Sequence, residues 1–143
     1  MTEEKTIETA EQELVDEFLV FESPSDKLDY LIDLGKSLKH LDEKLKTENN
    51  TIKGCQATVW LISELREGKV FFQADADAFY AKGLVAMMIR VLSGHTPDKI
   101  INASLGFIKK IGFEQMLSMK RAGGLASMIK QMKLDALAYK TKV

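Results

Sequence analysis

The stretch Val59-Trp60-Leu61-Ile62-Ser63-Glu64-Leu65-Arg66-Glu67-Gly68-Lys69-Val70-Phe71-Phe72-Gln73-Ala74 decides the fold. Val59, Leu61, Ser63 and Leu65 alternate with Thr58, Trp60, Ile62 and Glu64 in a segment rich in β-branched and aromatic side chains. Alternation of that composition suits a pleated, half-buried strand. Arg66-Glu67-Gly68-Lys69 carries turn chemistry, and Val70 to Ala74 reads as the return strand. The stretch is therefore a β-hairpin, to which Ile52 adds a short further strand.

Outside the hairpin the apolar residues fall at helical spacing. Upstream, Leu14, Val15, Phe18, Leu19 and Phe21 recur between acidic residues and predict a short amphipathic helix. Ser23-Pro24-Ser25-Asp26 restarts the chain: serine caps, proline fits the first helical position, and aspartate suits the positive end of the helix dipole. Leu28, Leu31, Ile32, Gly35 and Leu38 line the second helix, where Gly35 marks either a close helix contact or the helix end. Residues 39–50 form a polar connection. Downstream, Asp75-Ala76-Asp77-Ala78 marks a strand-to-helix switch at which either aspartate can cap. The helix that follows carries Phe79, Leu84, Val85, Met87, Met88, Val91 and Leu92 and closes at Ser93-Gly94. It is apolar around much of its circumference, as expected of the central helix.

Thr96-Pro97-Asp98 opens a short helix with Ile100 and Ile101, and Leu105 to Ile111 another that ends at Gly112. Ser118 opens a terminal amphipathic helix with Leu125, Met128, Ile129, Met132 and Leu137. Gly123-Gly124 near its start is a place where another backbone can approach. Helices, hairpin, helices is the order of an α+β domain with a small antiparallel sheet covered on one face. The expected organisation is a frayed, disordered 1–10 and a single domain over 11–140.

Bulk properties narrow the function. The 143 residues suffice for a core without disulfides or metals. Lys plus Arg number 20 and Asp plus Glu 21, a net charge of −1, which gives no electrostatic footprint for nucleic acid. No apolar run approaches the ~20 residues of a membrane helix, and the acidic start lacks the core of a signal peptide. A single cysteine forms no internal disulfide, so the expected setting is reducing and cytoplasmic.

That cysteine lies in Thr51-Ile52-Lys53-Gly54-Cys55-Gln56-Ala57-Thr58. Lys53 places a cation near the sulfur, which favours the reactive thiolate, and Gly54 removes a side chain beside it. Free cysteines are also commonly inert, buried hydrophobes, and on these residues alone both readings stand. His40 and His95 are the only histidines, and nothing in the sequence pairs either with Cys55 as a hydrolase requires. One cysteine and two scattered histidines do not make a metal site. Asp75 and Asp77 read as caps before they read as cation ligands. The methionines read as core filling, and the glycines make no phosphate-binding loop. Lys120, Arg121 and the basic residues after them read as a solvated helix face, with a docking or anion-contacting patch around Arg121 as the alternative. What one cysteine can do without a base is thiol–sulfur exchange, for which a partner supplies the leaving group.

Several stretches then resemble the SufE family of sulfur acceptors for cysteine desulfurases, which includes the CsdE branch. Lys53-Gly54-Cys55-Gln56 followed by Val59-Trp60-Leu61 is similar to the Gly-Cys-Gln-Ser-x-Val-Trp signature, and Asp75-Ala76-Asp77-Ala78 to Asp-Ser-Asp-Ala. Lys82 to Ala86, Ser93-Gly94-x-Thr96-Pro97 and Leu117-Ser118…Arg121…Gly124-Leu125 follow in order. The likeness covers roughly residues 12–135.

The resemblance implies a SufE/IscU-like α+β fold with the acceptor cysteine, Cys55, on a loop at the sheet edge. Lys53, Gly54, Gln56, Asp75, Asp77 and Arg121 are the implied supporting or partner-contacting residues. It implies a pyridoxal-phosphate cysteine desulfurase of the SufS or CsdA type as partner, and a downstream scaffold that assembles iron–sulfur clusters. The chain itself would hold no cofactor or metal, and would relay sulfur and stimulate the desulfurase without being an enzyme. The alternative is a module that docks on a desulfurase and modulates it without thiol chemistry. An iron–sulfur scaffold comes last, since it needs several ligands. The sequence departs from the family pattern at Ala57, where serine is usual, and at Met116, Met119 and Gly123.

Overall fold

The computed structural model describes residues 5–142. The hairpin is present as read. Strands β1 (Val59–Arg66) and β2 (Lys69–Ala76) pair antiparallel, from Val59 opposite Ala76 to Arg66 opposite Lys69. Glu67 and Gly68 form the two-residue turn, both with positive φ (51° and 78°), the geometry whose twist matches the flanking strands. The further strand at Ile52 is reduced to one bridge: Thr51 pairs with Trp60, and the Ile52 N–H donates to the Val59 carbonyl at 2.8 Å. On the opposite edge Val70 bridges His95.

Seven α-helices surround this sheet among the described residues: α1 (Ile7–Phe18), α2 (Pro24–Lys36), α3 (Phe79–Leu92), α4 (Pro97–Ile101), α5 (Phe107–Ile111), α6 (Phe113–Met116) and α7 (Met119–Lys140). The architecture is α+β, as expected from the order of patterns. Ser23 caps α2 by accepting from the Asp26 N–H at 3.1 Å, and Ser118 caps α7 by accepting from the Arg121 N–H at 3.3 Å. Gly112 closes α5 at φ +90°.

The core gathers on α3, whose Leu84, Val85, Met88, Val91 and Leu92 are fully buried and which meets α1, α2, α7 and β2. Its approach to α2 is set by two glycines. A Cβ added to Gly83 would lie 2.2 Å from the Leu31 carbonyl oxygen, and one added to Gly35 would lie 2.7 Å from the Gly83 nitrogen. Gly35 therefore does both things its position allowed: it permits a close contact, and α2 ends one residue later.

Several expectations need correction. The chain becomes helical at Ile7, inside the segment read as frayed, because Ile7 and Ala10 are buried in the core; residues 1–4 lie outside the described residues. α1 stops at Phe18. Leu19 and Val20 are 54% and 75% exposed, and Phe21 stacks on Tyr30 at 5.1 Å instead of extending the helix face. Phe79 is 69% exposed, since it is the first residue of α3 and precedes the turn that faces the core. In α7 the buried row is Leu125, Met128, Met132 and Ala136, which puts Leu137 a step off the seam and 50% exposed.

Candidate thiol site

Cys55 occupies a short excursion between Ile52 and Val59, and both ends are pinned. The Ile52 N–H to Val59 carbonyl bond closes one side. At the other, the Thr58 N–H donates to Asp77 Oδ1 at 2.9 Å while the Asp77 N–H donates to the Thr58 carbonyl at 3.0 Å. Buried Ile52 and Val59 anchor the base in the core, so residues 53–57 project from a fixed neck. Gly54 turns the chain at φ +90°, a region that an L side chain enters only with strain.

The loop lies on one face of α7. The Cys55 Sγ donates to the Gly124 carbonyl at 3.5 Å. A Cβ at Gly124 would stand 3.8 Å from that sulfur, and one at Gly54 would stand 2.5 Å from Ser127 Oγ. Of the glycine pair it is thus Gly124 that receives another backbone; Gly123 has open space around it. Ser127 was not singled out in the sequence, although its place three residues after Gly124 puts it on the same helix face.

The charges around the thiol differ from the sequence reading. Lys53 is exposed, and its ammonium meets Glu48 at 3.0 Å and the Thr51 hydroxyl at 3.1 Å, so its charge is shared with a carboxylate in water. Half-burial of Cys55 pushes its thiol above the ordinary range. At rest the group is a protonated thiol donating to a carbonyl. Gln56 is exposed at the loop tip.

The two aspartates do not cap α3, whose N-cap is Ala78 with no side-chain cap bond. β2 runs on through Ala76, which leaves Asp75 inside the sheet. Asp75 is 7% exposed and opposite Trp60, with Lys46 at 3.1 Å and Lys82 at 3.7 Å. Burial raises its carboxyl, but the Ala76 N–H and the Lys46 and Lys82 ammonium groups outweigh that and hold it below the ordinary carboxylate range. Lys46 also sits over the Trp60 ring at 5.3 Å. Asp77 serves the neck of the thiol loop. Arg121, in the first turn of α7, lies 4.4 Å over the Tyr80 ring, so the starts of α3 and α7 meet beside the loop. No sequence signal pointed to Tyr80 or Lys46.

His95 stays apart from the thiol. His95 bridges Val70 at the turn end of the hairpin, while Cys55 precedes Val59 at the other end, roughly 20 Å away by strand rise. His40 is exposed and lines a cleft of 140 Å³ with Asp75, Phe79 and Lys82. Among the described residues no group of three or more His, Cys, Asp or Glu could hold a metal ion, and no helix is long and apolar enough to cross a membrane.

These features describe a small α+β protein that carries one thiol on a pinned loop with no base beside it. Comparison with known proteins gives that class a family. Residues 12–136 match the family described as SufE, an Fe-S metabolism associated domain, and the chain belongs to it. An uncharacterised SufE-like protein of Synechocystis is 34% identical over 126 residues, covering 88% of this chain and 79% of that protein. A SufE-like protein of Rhizobium meliloti is 32% identical over 90% of this chain and 95% of its own. SufE-like protein 1 of Arabidopsis, described as chloroplastic/mitochondrial, is 35% identical over 92% of this chain, which spans 36% of that longer protein. Among solved structures, the solution structure of a hypothetical protein from Thermus thermophilus superposes with a TM-score of 0.75 at 16% identity, over 92% of this chain and 96% of that one. That likeness establishes the fold alone.

Proposed function

We propose that Cys55 accepts a sulfur atom from a persulfide on a pyridoxal-phosphate cysteine desulfurase of the SufS or CsdA type. The supporting observation is the Cys55 loop itself: a sole thiol, lifted on a pinned neck beside glycine, in a chain of the SufE family. Cys55 gives its proton up to water, and the resulting thiolate attacks the outer sulfur of the donor persulfide. A new S–S bond forms on Cys55, the donor's S–S bond breaks, and the donor leaves as a thiolate. Sulfur oxidation states exchange between the partners, so no outside oxidant or reductant enters. In this reading water takes the thiol proton and no histidine takes part, which fits the distance of His95.

Removing sulfur from the desulfurase frees it for another turnover, so the chain stimulates the enzyme and is not itself one. Asp77, Gly54 and Lys53 shape the loop; Gln56 at its tip and Arg121 beside it are positioned to meet the partner. The sulfur then passes to a scaffold for iron–sulfur clusters. A thiol kept for exchange has to stay reduced, which makes the cytosol the expected setting. The test is a titration of a desulfurase and cysteine with wild type and Cys55→Ser. Wild type is expected to gain one or more reductant-removable sulfur atoms at Cys55 and to accelerate the enzyme. Equal acceleration by Cys55→Ser would sink the relay. It would favour a docking module without thiol chemistry, a reading to which the half-buried, proton-holding Cys55 lends support.

A further inference from the structure

We propose that the outer edge of β1 docks an extended, basic segment of a partner protein, which pairs with the edge main chain and sets a lysine or arginine on Asp135. The inference concerns a second point of contact with a protein partner and does not depend on the relay. β1 pairs with β2 along one edge only. Main-chain groups of an antiparallel strand turn outward at every second residue. Here the outward set is Val59, Leu61, Ser63 and Leu65, as the Ile52 N–H on the Val59 carbonyl shows. Thr51 ends the ladder at Trp60, and further along the Tyr139 hydroxyl donates to the Ser63 carbonyl at 2.9 Å. Between these closures the Leu61 carbonyl and the Ser63 N–H have no hydrogen-bond partner among the described residues. An acceptor and a donor flanking one residue are what an added strand engages. The other edge of the sheet offers no such place. Gly94 and His95 bond Val70, the Ser93 hydroxyl accepts from the Phe72 N–H at 2.9 Å, and Ala74 is 1% exposed.

The edge opens on a cleft of about 270 Å³ whose far wall is α7. Ser127, Gln131, Asp135 and Tyr139 recur at every fourth residue and so form one row along that helix. Ser127 meets Gly54 at one end and Tyr139 meets Ser63 at the other. The row therefore runs beside β1, with Gln131 and Asp135 lining the cleft between. The lining is polar, with Asn49 and Asn50 at the Ile52 end, and its one charged group is Asp135. The Asp135 carboxylate accepts from the Gln131 amide at 2.9 Å and has no ion pair among the described residues. Ser63, Gln131 and Asp135 are half-buried, a setting in which salt screens a charge pair less than on open surface. One uncompensated carboxylate beside free main-chain groups selects an extended chain that brings a cation. About two turns of α7, roughly 10 Å, separate Gln131 from Gly124, so a segment seated here anchors its protein beside Cys55.

Amide NMR on the full chain tests this with the capped pentapeptide acetyl-Thr-Val-Arg-Val-Thr-amide and its counterpart carrying glutamate for arginine. The arginine peptide is expected to bind in the millimolar range, moving the Ser63 backbone amide and the Gln131 side-chain amide saturably. Asp135→Asn keeps an acceptor for Gln131 and loses the charge; it should weaken binding about fivefold, the value of one net hydrogen bond. The glutamate peptide should bind wild type at least as weakly. Ser63→Pro removes the outward N–H at an edge position, where proline is tolerated, and should weaken binding to a like degree, with unchanged β2 amides showing the hairpin intact. Absence of saturable movement at Ser63 with the arginine peptide overturns the proposal, as does equal binding of the two peptides or an unchanged affinity in Asp135→Asn. No desulfurase enters the measurement, so failure of the enzyme to load Cys55 would sink the relay and leave this docking edge standing.

Discussion

Replacing Gly83 by alanine sets two effects of opposite sign against each other. Alanine is favoured over glycine inside a helix by about 1 kcal/mol, so propensity alone predicts a more stable protein. The packing opposes this. The new Cβ would stand 2.2 Å from the Leu31 carbonyl oxygen, 2.8 Å from its carbonyl carbon and 2.9 Å from its Cγ. The first two are main-chain atoms within α2, so no change of rotamer relieves them. Non-bonded heavy atoms rest at roughly 3.5 Å, so the helices have to part by about 1 Å. Rotation offers no escape, because Gly35 meets the same crossing from the other side, 2.7 Å from the Gly83 nitrogen once a Cβ is added there.

Overpacking a close-packed core costs about 1–3 kcal/mol, and a backbone contact this short belongs at the upper end. After the gain in propensity, the expected net loss is about 2 kcal/mol. Urea denaturation should show a lower midpoint with an unchanged slope. Gly123→Ala is the control, since nothing lies within 4 Å of its added Cβ on exposed α7; it should gain up to about 1 kcal/mol. A Gly83→Ala midpoint equal to or above wild type would refute the close crossing of α2 and α3.

Three further outcomes are expected. Asp77→Ala removes the acceptor for the Thr58 N–H and should speed alkylation of Cys55 by about fivefold, the value of one net hydrogen bond; an unchanged rate would mean that the neck is held by other contacts. Asp75 titrates below its ordinary value in the fold, so its contribution to stability is present above the unfolded carboxylate value of about 4 and is lost as pH falls through the folded one. Asp75→Asn should therefore cost stability at neutral pH and converge with wild type in acid, and parallel acid limbs in the two proteins would contradict that. Burial raises the Cys55 thiol, so its alkylation in the folded protein should rise with pH at a higher midpoint than in the urea-unfolded chain. The folded state keeps this proton where the unfolded chain has lost it, which makes stability fall as pH climbs through the ordinary thiol range.

Much of the architecture was legible in the sequence because it rests on local signals. The alternation through Val59 to Leu65, the Glu67-Gly68 turn, the Ser23-Pro24 and Ser118 starts and the Gly112 stop each act within a few residues. Errors occurred where a distant partner decided the matter. Asp75 and Asp77 carried the right residue type for a cap, yet strand pairing with β1 drew Asp75 into the sheet, where Lys46 claims it, and Asp77 just past the strand end is taken up by the Thr58 amide. Lys53 carried the right charge for a thiolate, yet Glu48 takes it up.

The thiol loop shows the division most plainly. The sequence by itself determined that there is one cysteine, that glycine precedes it, and that it stands just ahead of a hairpin, because composition and short-range periodicity are properties of the chain. Only the tertiary structure decided what surrounds the sulfur. The Gly124 carbonyl comes from 69 residues beyond Cys55 and the Asp77 latch from 19 residues beyond Thr58, with the Ser127 hydroxyl supplied by the same distant helix as Gly124. Burial and the direction of a hydrogen bond depend on what the fold brings opposite a residue, and no spacing along the chain encodes it.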